Sequence, residues 1–269
     1  MNVFVIENLK CSYPSSGKPI LFIENLAIPK GKMTVILGRS GSGKSTLVEA
    51  LGLMNNTIVA GEVNYFSPGG VVDLAQLWNK RKKVSAIRRN YFSFIFQDDY
   101  LMPYYTCVEN MLIPRLIQHK MASALTGNFL DKPLEFLNLS GNGIMKQLPC
   151  QLAGGQKQRL SFIRAVIKDF DVLFGDEPTG NLDHANSGNL FDFIKEIIYE
   201  KFRTAVIVSH NVELSVEKAD RIIVLTHCED NTQSHFRLHP DHIFDRDINN
   251  HWENFSNPQD LTDYIKLIL

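Results

Sequence analysis

The sequence predicts an α/β fold: a mostly parallel sheet flanked by helices, with an antiparallel β subdomain on one side and an α-helical subdomain inserted into the chain. Three observations predict it. Residues 33–37, Met-Thr-Val-Ile-Leu, are an apolar run that passes straight into a glycine-rich turn and then into helical character over residues 46–53. Similar apolar runs recur at 92–96, 172–175, 205–208 and 222–225, several followed by helical patterns, as in a parallel sheet covered on both faces. The opening residues alternate instead, with Val3, Val5 and Leu9 as the apolar set.

In chain order, the alternating first strand meets the turn Pro14-Ser15-Ser16-Gly17, and a second short strand follows at 20–23, so antiparallel pairing is the economical arrangement. The main core covers residues 1–97, including the strand at 33–37, and resumes over 161–225. Residues 98–160 read as predominantly helical and form the inserted subdomain. After Leu225 the composition turns polar and rich in histidine, so 226–269 reads as a C-terminal extension. It ends in a helix with an identifiable start: Asn257 caps, Pro258 suits the first helical position, and Leu261, Tyr264, Ile265 and Ile268 share one face.

The 269 residues suffice for one substantial core or two fused subdomains. With 28 basic and 29 acidic side chains the chain has no bulk positive field for nucleic acid, so any polyanion must be held locally. Cys11, Cys107, Cys150 and Cys228 lie far apart without a Cys-x-x-Cys pair, which fits a reducing cytosol better than a disulfide framework or thiolate zinc site. The N-terminus lacks the basic-then-apolar order of a signal peptide, and no stretch approaches the ~20 apolar residues that span a bilayer. Membrane spans, if the protein serves a membrane, are expected from another chain.

The glycine-rich turn, Gly38-Arg39-Ser40-Gly41-Ser42-Gly43-Lys44-Ser45, matches G-x-x-x-x-G-K-[ST] in the strand-to-helix context that gives this pattern its meaning. Its glycines let backbone N–H groups curl around phosphate oxygens at a helix N-terminus. Lys44 brings charge to the β- and γ-phosphates, Ser45 offers a hydroxyl to Mg²⁺, and Thr46 is read with them as nucleotide-binding. Far downstream, the apolar strand at 172–175 ends in two adjacent carboxylates. Asp176 would organise a Mg²⁺ shell, and Glu177 is placed to polarise the attacking water. Alone, an Asp-Glu pair at a strand end is weak; joined to the phosphate loop it becomes strong.

With these residues the sequence resembles the ABC (ATP-binding cassette) ATPases across residues 1–225, which implies a P-loop NTPase core of the ABC type using ATP and Mg²⁺. Leu152-Ala153-Gly154-Gly155-Gln156, followed by Lys157-Gln158-Arg159, resembles the family's signature loop, which meets the γ-phosphate held by the opposite protomer. That feature implies a head-to-tail dimer with a second ATPase subunit, most simply another copy. Leu139-Ser140-Gly141-Asn142-Gly143 starts more like a signature but does not lead into the basic-then-apolar helix that follows 152–156. The resemblance further assigns Gln97 to sensing Mg²⁺ or water, Asn181-Leu182-Asp183 to the D-loop, His210 to the γ-phosphate switch, and Tyr13 to stacking on adenine. Each of these single-residue matches also has an ordinary reading, and their shared order carries the assignment. Glu177, His210, Gln97 and Lys44 form the expected catalytic set, with Ser45, Gln97 and Asp176 toward the metal.

Ala153 departs from the pattern, since the family usually has serine there. The loss of one hydrogen bond to a charged group, worth roughly 1.5–3 kcal/mol, implies weaker ATP-driven closure or slower turnover.

The segment 94–103, Phe-Ile-Phe-Gln-Asp-Asp-Tyr-Leu-Met-Pro, and the stretch Asp176-Glu177-Pro178-Thr179-Gly180-Asn181-Leu182-Asp183 resemble the MacB-like branch, which serves lipoprotein release, macrolide export and cell-division signalling. That resemblance implies an ATPase at the cytoplasmic face of a membrane, driving a separate integral membrane subunit. The subunit would be received on the helical subdomain at Tyr100, Leu101, Met102, Tyr104 and Tyr105. Lys80-Arg81-Lys82-Lys83 with Arg88-Arg89 reads as a solvated helix face, and the spacing of His227, Cys228, His235, His239 and His242 matches no standard metal site. The alternatives are a soluble regulatory ATPase and a DNA-associated ABC ATPase. The latter class needs coiled-coil insertions or zinc modules, neither of which is present, and no nucleic-acid partner is expected.

Overall fold

The hairpin of β1 (Asn2–Ser12) and β2 (Pro19–Pro29) pairs antiparallel, with Ile6 opposite Leu26 and Lys10 opposite Phe22. The computed structural model describes residues 1–13, 19–118, 130–136, 139, 143–180, 184–230, 233–247 and 249–269, so the turn expected at 14–17 lies outside the described residues. Next come β3 (Met33–Gly38), α1 (Lys44–Leu51), β4 (Ile58–Ser67), β5 (Gly70–Asp73), α2 (Arg81–Tyr91) and β6 (Phe92–Ile95). They are followed by α3 (Cys107–Gln118), α4 (Asp131–Phe136), α5 (Gly154–Val166), β7 (Val172–Asp176), α6 (His184–Glu200) and β8 (Thr204–Val208). The described chain closes with α7 (Val212–Lys218), β9 (Arg221–Asp230), β10 (Gln233–Asp245) and α8 (Pro258–Ile268).

The strands join in the order β5-β4-β1-β2-β10-β9-β3-β8-β7-β6. The run β9-β3-β8-β7-β6 is parallel throughout, with Val35 opposite Ile207 and Gly175 opposite both Ile207 and Ile95. The run β5-β4-β1-β2 is antiparallel. The sheet is therefore mixed, and its parallel strands are apolar on both faces because helices cover both. On one face Val35, Leu173 and Ile207 pack with Phe162 of α5 and Phe193 of α6. On the other, Ile36, Phe174 and Val206 pack with Leu47 of α1 and with Phe4 and Tyr65 of the antiparallel run. Phe92 meets Tyr65 and Phe174 edge-on, with centroids at 5.0 and 5.3 Å, the favoured arrangement of ring quadrupoles.

Three differences from the sequence reading have physical causes. β4 and β5 were missed because Gly61, Gly69 and Gly70 interrupt their apolar alternation. α2 was read only as a solvated helix face, without bounds or a buried side, because seven of its eleven residues are charged or strongly polar and Val84 and Ile87 are its buried contacts. β9 runs through position 225, and β10, read as a polar extension, lies between β9 and β2. Its alternation is broken by a register shift between Leu238 and Ile243, which hides the strand period. The terminal helix starts as expected: the Asn257 side chain accepts from the Asp260 amide at 3.0 Å, and Leu261 and Ile265 are buried. Within 98–160 the described α-helices are α3, α4 and the start of α5, with short 3₁₀ turns at Ile144–Lys146 and Pro149–Gln151; residues 140–142 of the competing signature-like segment lie outside the described residues. No helix of the described residues is long and apolar enough to cross a membrane.

Candidate functional site

β3 delivers the chain to the phosphate loop. Gly38 is tucked so closely that a Cβ there would lie 2.5 Å from Ser42 Oγ and 2.9 Å from the Leu225 carbonyl oxygen. Gly43 takes φ 84° at the N-cap of α1, a conformation that disfavours side chains, and no side chain caps the helix. The first turn of α1 contains no acidic residue, so its amides and dipole face the loop unopposed. Lys44 folds back over the loop and donates to the Gly38 carbonyl at 2.8 Å and the Arg39 carbonyl at 2.9 Å. Burial lowers its pKa, while Glu177 and Asp176 act in the opposite sense.

β7, separated from β3 by β8, brings the carboxylates to this loop. Asp176, the last residue of β7, accepts from the Ser45 hydroxyl at 3.1 Å. Burial raises its pKa, opposed by the Ser45 hydrogen bond. Glu177 follows in a left-handed conformation, φ 50°, with its amide donating to the Val208 carbonyl at 3.1 Å. That turn directs its carboxylate to His210, just past β8, whose Nε2 lies 2.5 Å from Glu177 Oε1. One cleft is lined by Tyr13, Ile20, residues 40–46, Glu177 and His210. The Tyr13 hydroxyl is anchored to α1 through Thr46 Oγ1 at 3.2 Å and Glu49 Oε2 at 3.3 Å. The arrangement sets a buried ammonium and a helix N-terminus against two carboxylates and an imidazole. It suits a polyanion with a hard cation, because the oxygens of Ser45 and Asp176 already adjoin.

Other expected site residues are placed elsewhere. Gln97, two residues beyond β6, rests beside Gly180: its Cγ and Nε2 lie 3.5 Å from where a Gly180 Cβ would be. It makes no hydrogen bond to Ser45 or Asp176 among the described residues. Ala153 is the exposed N-cap of α5, and Ala153, Gly154 and Gly155 do not line the cleft. Gln156 turns back, its Oε1 accepting from the Ala153 amide at 3.0 Å. Asp183 lies outside the described residues, together with Asn181 and Leu182.

Sequence reasoning missed three supporting residues. Buried Gln158 of α5 donates to the Pro178 carbonyl at 2.7 Å, joining the signature-like helix to the turn after Glu177. Arg164, lower on the same helix, donates to the carbonyls of Asp99 and Tyr100, each at 2.7 Å. Asn110 is buried in α3 and donates to the carbonyls of Met102, Tyr105 and Thr106 at 2.9–3.1 Å while accepting from the Met102 amide at 2.7 Å. Two elements thus brace the 99–106 loop, which displays Tyr100, Met102, Tyr104 and Tyr105 outward; Tyr104 is 91% exposed. Leu101 instead turns inward against the core.

A strand-to-helix phosphate loop beside a strand ending in paired carboxylates defines a P-loop nucleotide hydrolase core. The family comparison narrows this. Residues 23–180 match the ABC transporter family, and the chain belongs to it as an ABC-type ATPase cassette. The lipoprotein-releasing system ATP-binding protein LolD of Zymomonas mobilis is 31% identical over 228 residues, covering 83% of this chain and 93% of that one. LolD of Rickettsia conorii is 32% identical over 231 residues, covering 84% and 96%. The macrolide export ATP-binding/permease protein MacB of Bartonella henselae is 32% identical over 233 residues, but this chain spans 32% of it. Among solved structures, the ATP-binding cassette MJ0796, a dimer in a post-hydrolysis state bound to ADP and Pi, superposes with a TM-score of 0.69 at 26% identity, covering 82% of this chain and 93% of that one.

Proposed function

We propose that the cleft over Lys44 binds MgATP, that two cassettes close head to tail over two nucleotides, and that closure and hydrolysis drive a separate integral membrane subunit from the cytoplasmic face. The observation that carries this reading is the convergence of the Ser45–Asp176 and Glu177–His210 pairs on one phosphate loop, while Ala153, Gly154 and Gly155 remain outside that cleft and open to a second copy. Tyr13 supports the adenine; Gly38, Arg39, Ser40, Gly41, Ser42, Gly43, Lys44 and Thr46 hold the phosphates. Glu177 accepts the proton of the attacking water, and His210 holds Glu177 and reaches the γ-phosphate. Ser45 and Asp176, with Gln97 swung inward, would hold Mg²⁺, which supplies charge neutralisation to the β- and γ-phosphates. Asp183 and Gln156 complete the contact between copies.

Residues 98–160 act as the subdomain that receives the partner, through the outward side chains of the braced 99–106 loop. The relatives named for lipoprotein release and macrolide export support the same class of work here. Native complex isolated from detergent-solubilised membranes should therefore contain an integral membrane subunit, and Tyr104→Asp should remove it without lowering nucleotide affinity. Recovery of the cassette alone, or with nucleic acid, from membrane and soluble fractions alike would overturn the membrane reading.

Ala153 offers a separate test of the dimer. Its methyl gives α5 no side-chain cap, so Ala153→Ser adds both a cap and a donor facing the second copy's nucleotide. The expected result is ATP-dependent dimerisation tighter by roughly 100-fold, the equivalent of two charged hydrogen bonds, one at each nucleotide, at the low end of their range. Unchanged or weaker association in light scattering would contradict the proposed contact.

A further inference from the structure

α7 carries His210 at its entrance and is only seven residues long, too short to be held by its own hydrogen bonds. Its first end is tied to the sheet. The Asn211 side chain accepts from the Leu214 amide at 2.9 Å, the Asn211 amide donates to Ser209 Oγ at 3.1 Å, and the Ser209 amide donates to the Ile36 carbonyl at 3.2 Å. Its last end depends on residues beyond the sheet. Arg246 Nη2 donates to the carbonyls of Val216 and Glu217 at 2.5 and 2.7 Å, and Trp252 Nε1 donates to the same Val216 carbonyl at 3.1 Å. The guanidinium lies 4.7 Å from the centroid of the Trp252 ring, itself 4% exposed, and its Nη1 donates to the side chain and carbonyl of Asn250. α8 then lies along α7, with Lys266 paired to Glu213. The last carbonyls of a helix have no intrahelical donors, and a cation there also complements the dipole, so these contacts close the open end of α7.

The His210 side chain is 48% exposed, so its own packing does not fix it; the backbone that carries it must. We propose that Arg246 and Trp252 are positioning residues for His210: by closing α7 they hold the backbone from which the imidazole reaches Glu177. This rests on the catalytic roles proposed above for Glu177 and His210. Neither Arg246 nor Trp252 lines the nucleotide cleft, so their loss should leave nucleotide affinity intact.

The test uses the full chain, measuring kcat and KM for MgATP, single-turnover phosphate release and thermal melting. Trp252→Phe keeps most of the ring's packing and removes one donor, so it serves even if Arg246→Ala fails to fold. Expected are kcat values lower by roughly fivefold for Trp252→Phe and tenfold for Arg246→Ala, with KM unchanged and partial recovery in Arg246→Lys. Placed on His210→Ala, Trp252→Phe should slow the residual rate no further, because its route is already cut. Wild-type kcat in both Arg246→Ala and Trp252→Phe, with His210→Ala slow, would sink the positioning role and leave the role of His210 standing. An equal loss in the wild-type and His210→Ala backgrounds would also overturn it. A fully active His210→Ala would remove the underlying reading and the inference together.

Discussion

Glu177→Gln is expected to slow ATP hydrolysis by roughly 10²- to 10⁴-fold, the range that one positioned general base supplies, while nucleotide binding persists. The substitution is nearly isosteric. The backbone turn that aims the side chain, with its amide on the Val208 carbonyl, does not depend on the carboxylate, and an amide oxygen still accepts from His210. What disappears is the capacity to take a proton from water. Removing one negative charge also lessens repulsion toward a triphosphate, so closed dimers should accumulate with ATP. Phosphate release and light scattering on the same sample separate the two effects. A variant that hydrolyses at the wild-type rate removes Glu177 as base, and one that fails to bind ATP assigns it to the binding site instead.

The phosphate loop and the carboxylate pair were legible in the sequence because their chemistry is local. A glycine-lysine turn between a strand and a helix, and an apolar strand ending in Asp176-Glu177, each carry their meaning within a few residues. The parallel strands were legible for a similar reason: burial on both faces leaves short uninterrupted apolar runs, and most ends fall within one or two residues of those read. β9 is the exception, running on to Asp230. β10 was not legible. Its strand identity comes from partners on both sides, β9 and β2, and its bulge erases the two-residue period that marks an isolated strand. The braces escaped for another reason. Arg164 and Asn110 act by donating to carbonyls of the 99–106 loop, contacts made by backbone, and a backbone acceptor leaves no residue type to recognise. The patch fared in between. Four of its five members face outward, but Leu101 turns inward, a choice made by the loop's conformation, with Tyr100 at φ 44°, and not by composition.

Lys44→Ala should abolish measurable ATP binding, a loss of about 100-fold or more in affinity, since charged hydrogen bonds to phosphate each contribute roughly 1.5–3 kcal/mol. The setting of the Lys44 ammonium explains the size of the effect. The ammonium is buried and, among the described residues, hydrogen-bonded only to two loop carbonyls, and burial pulls its pKa down even with Asp176 and Glu177 nearby. Phosphate oxygens would offer it stronger acceptors than the carbonyls of Gly38 and Arg39, because charge-assisted hydrogen bonds are stronger than neutral ones. The same carbonyls lose a donor in the variant, which makes a general loss of structure the competing explanation. Thermal melting separates them. Lys44→Ala that melts within a few degrees of wild type yet shows no uptake of a fluorescent ATP analogue supports direct phosphate binding by Lys44. Undiminished uptake would mean that the amides of the α1 N-terminus hold the triphosphate without it, and the charge balance drawn for the cleft would be wrong.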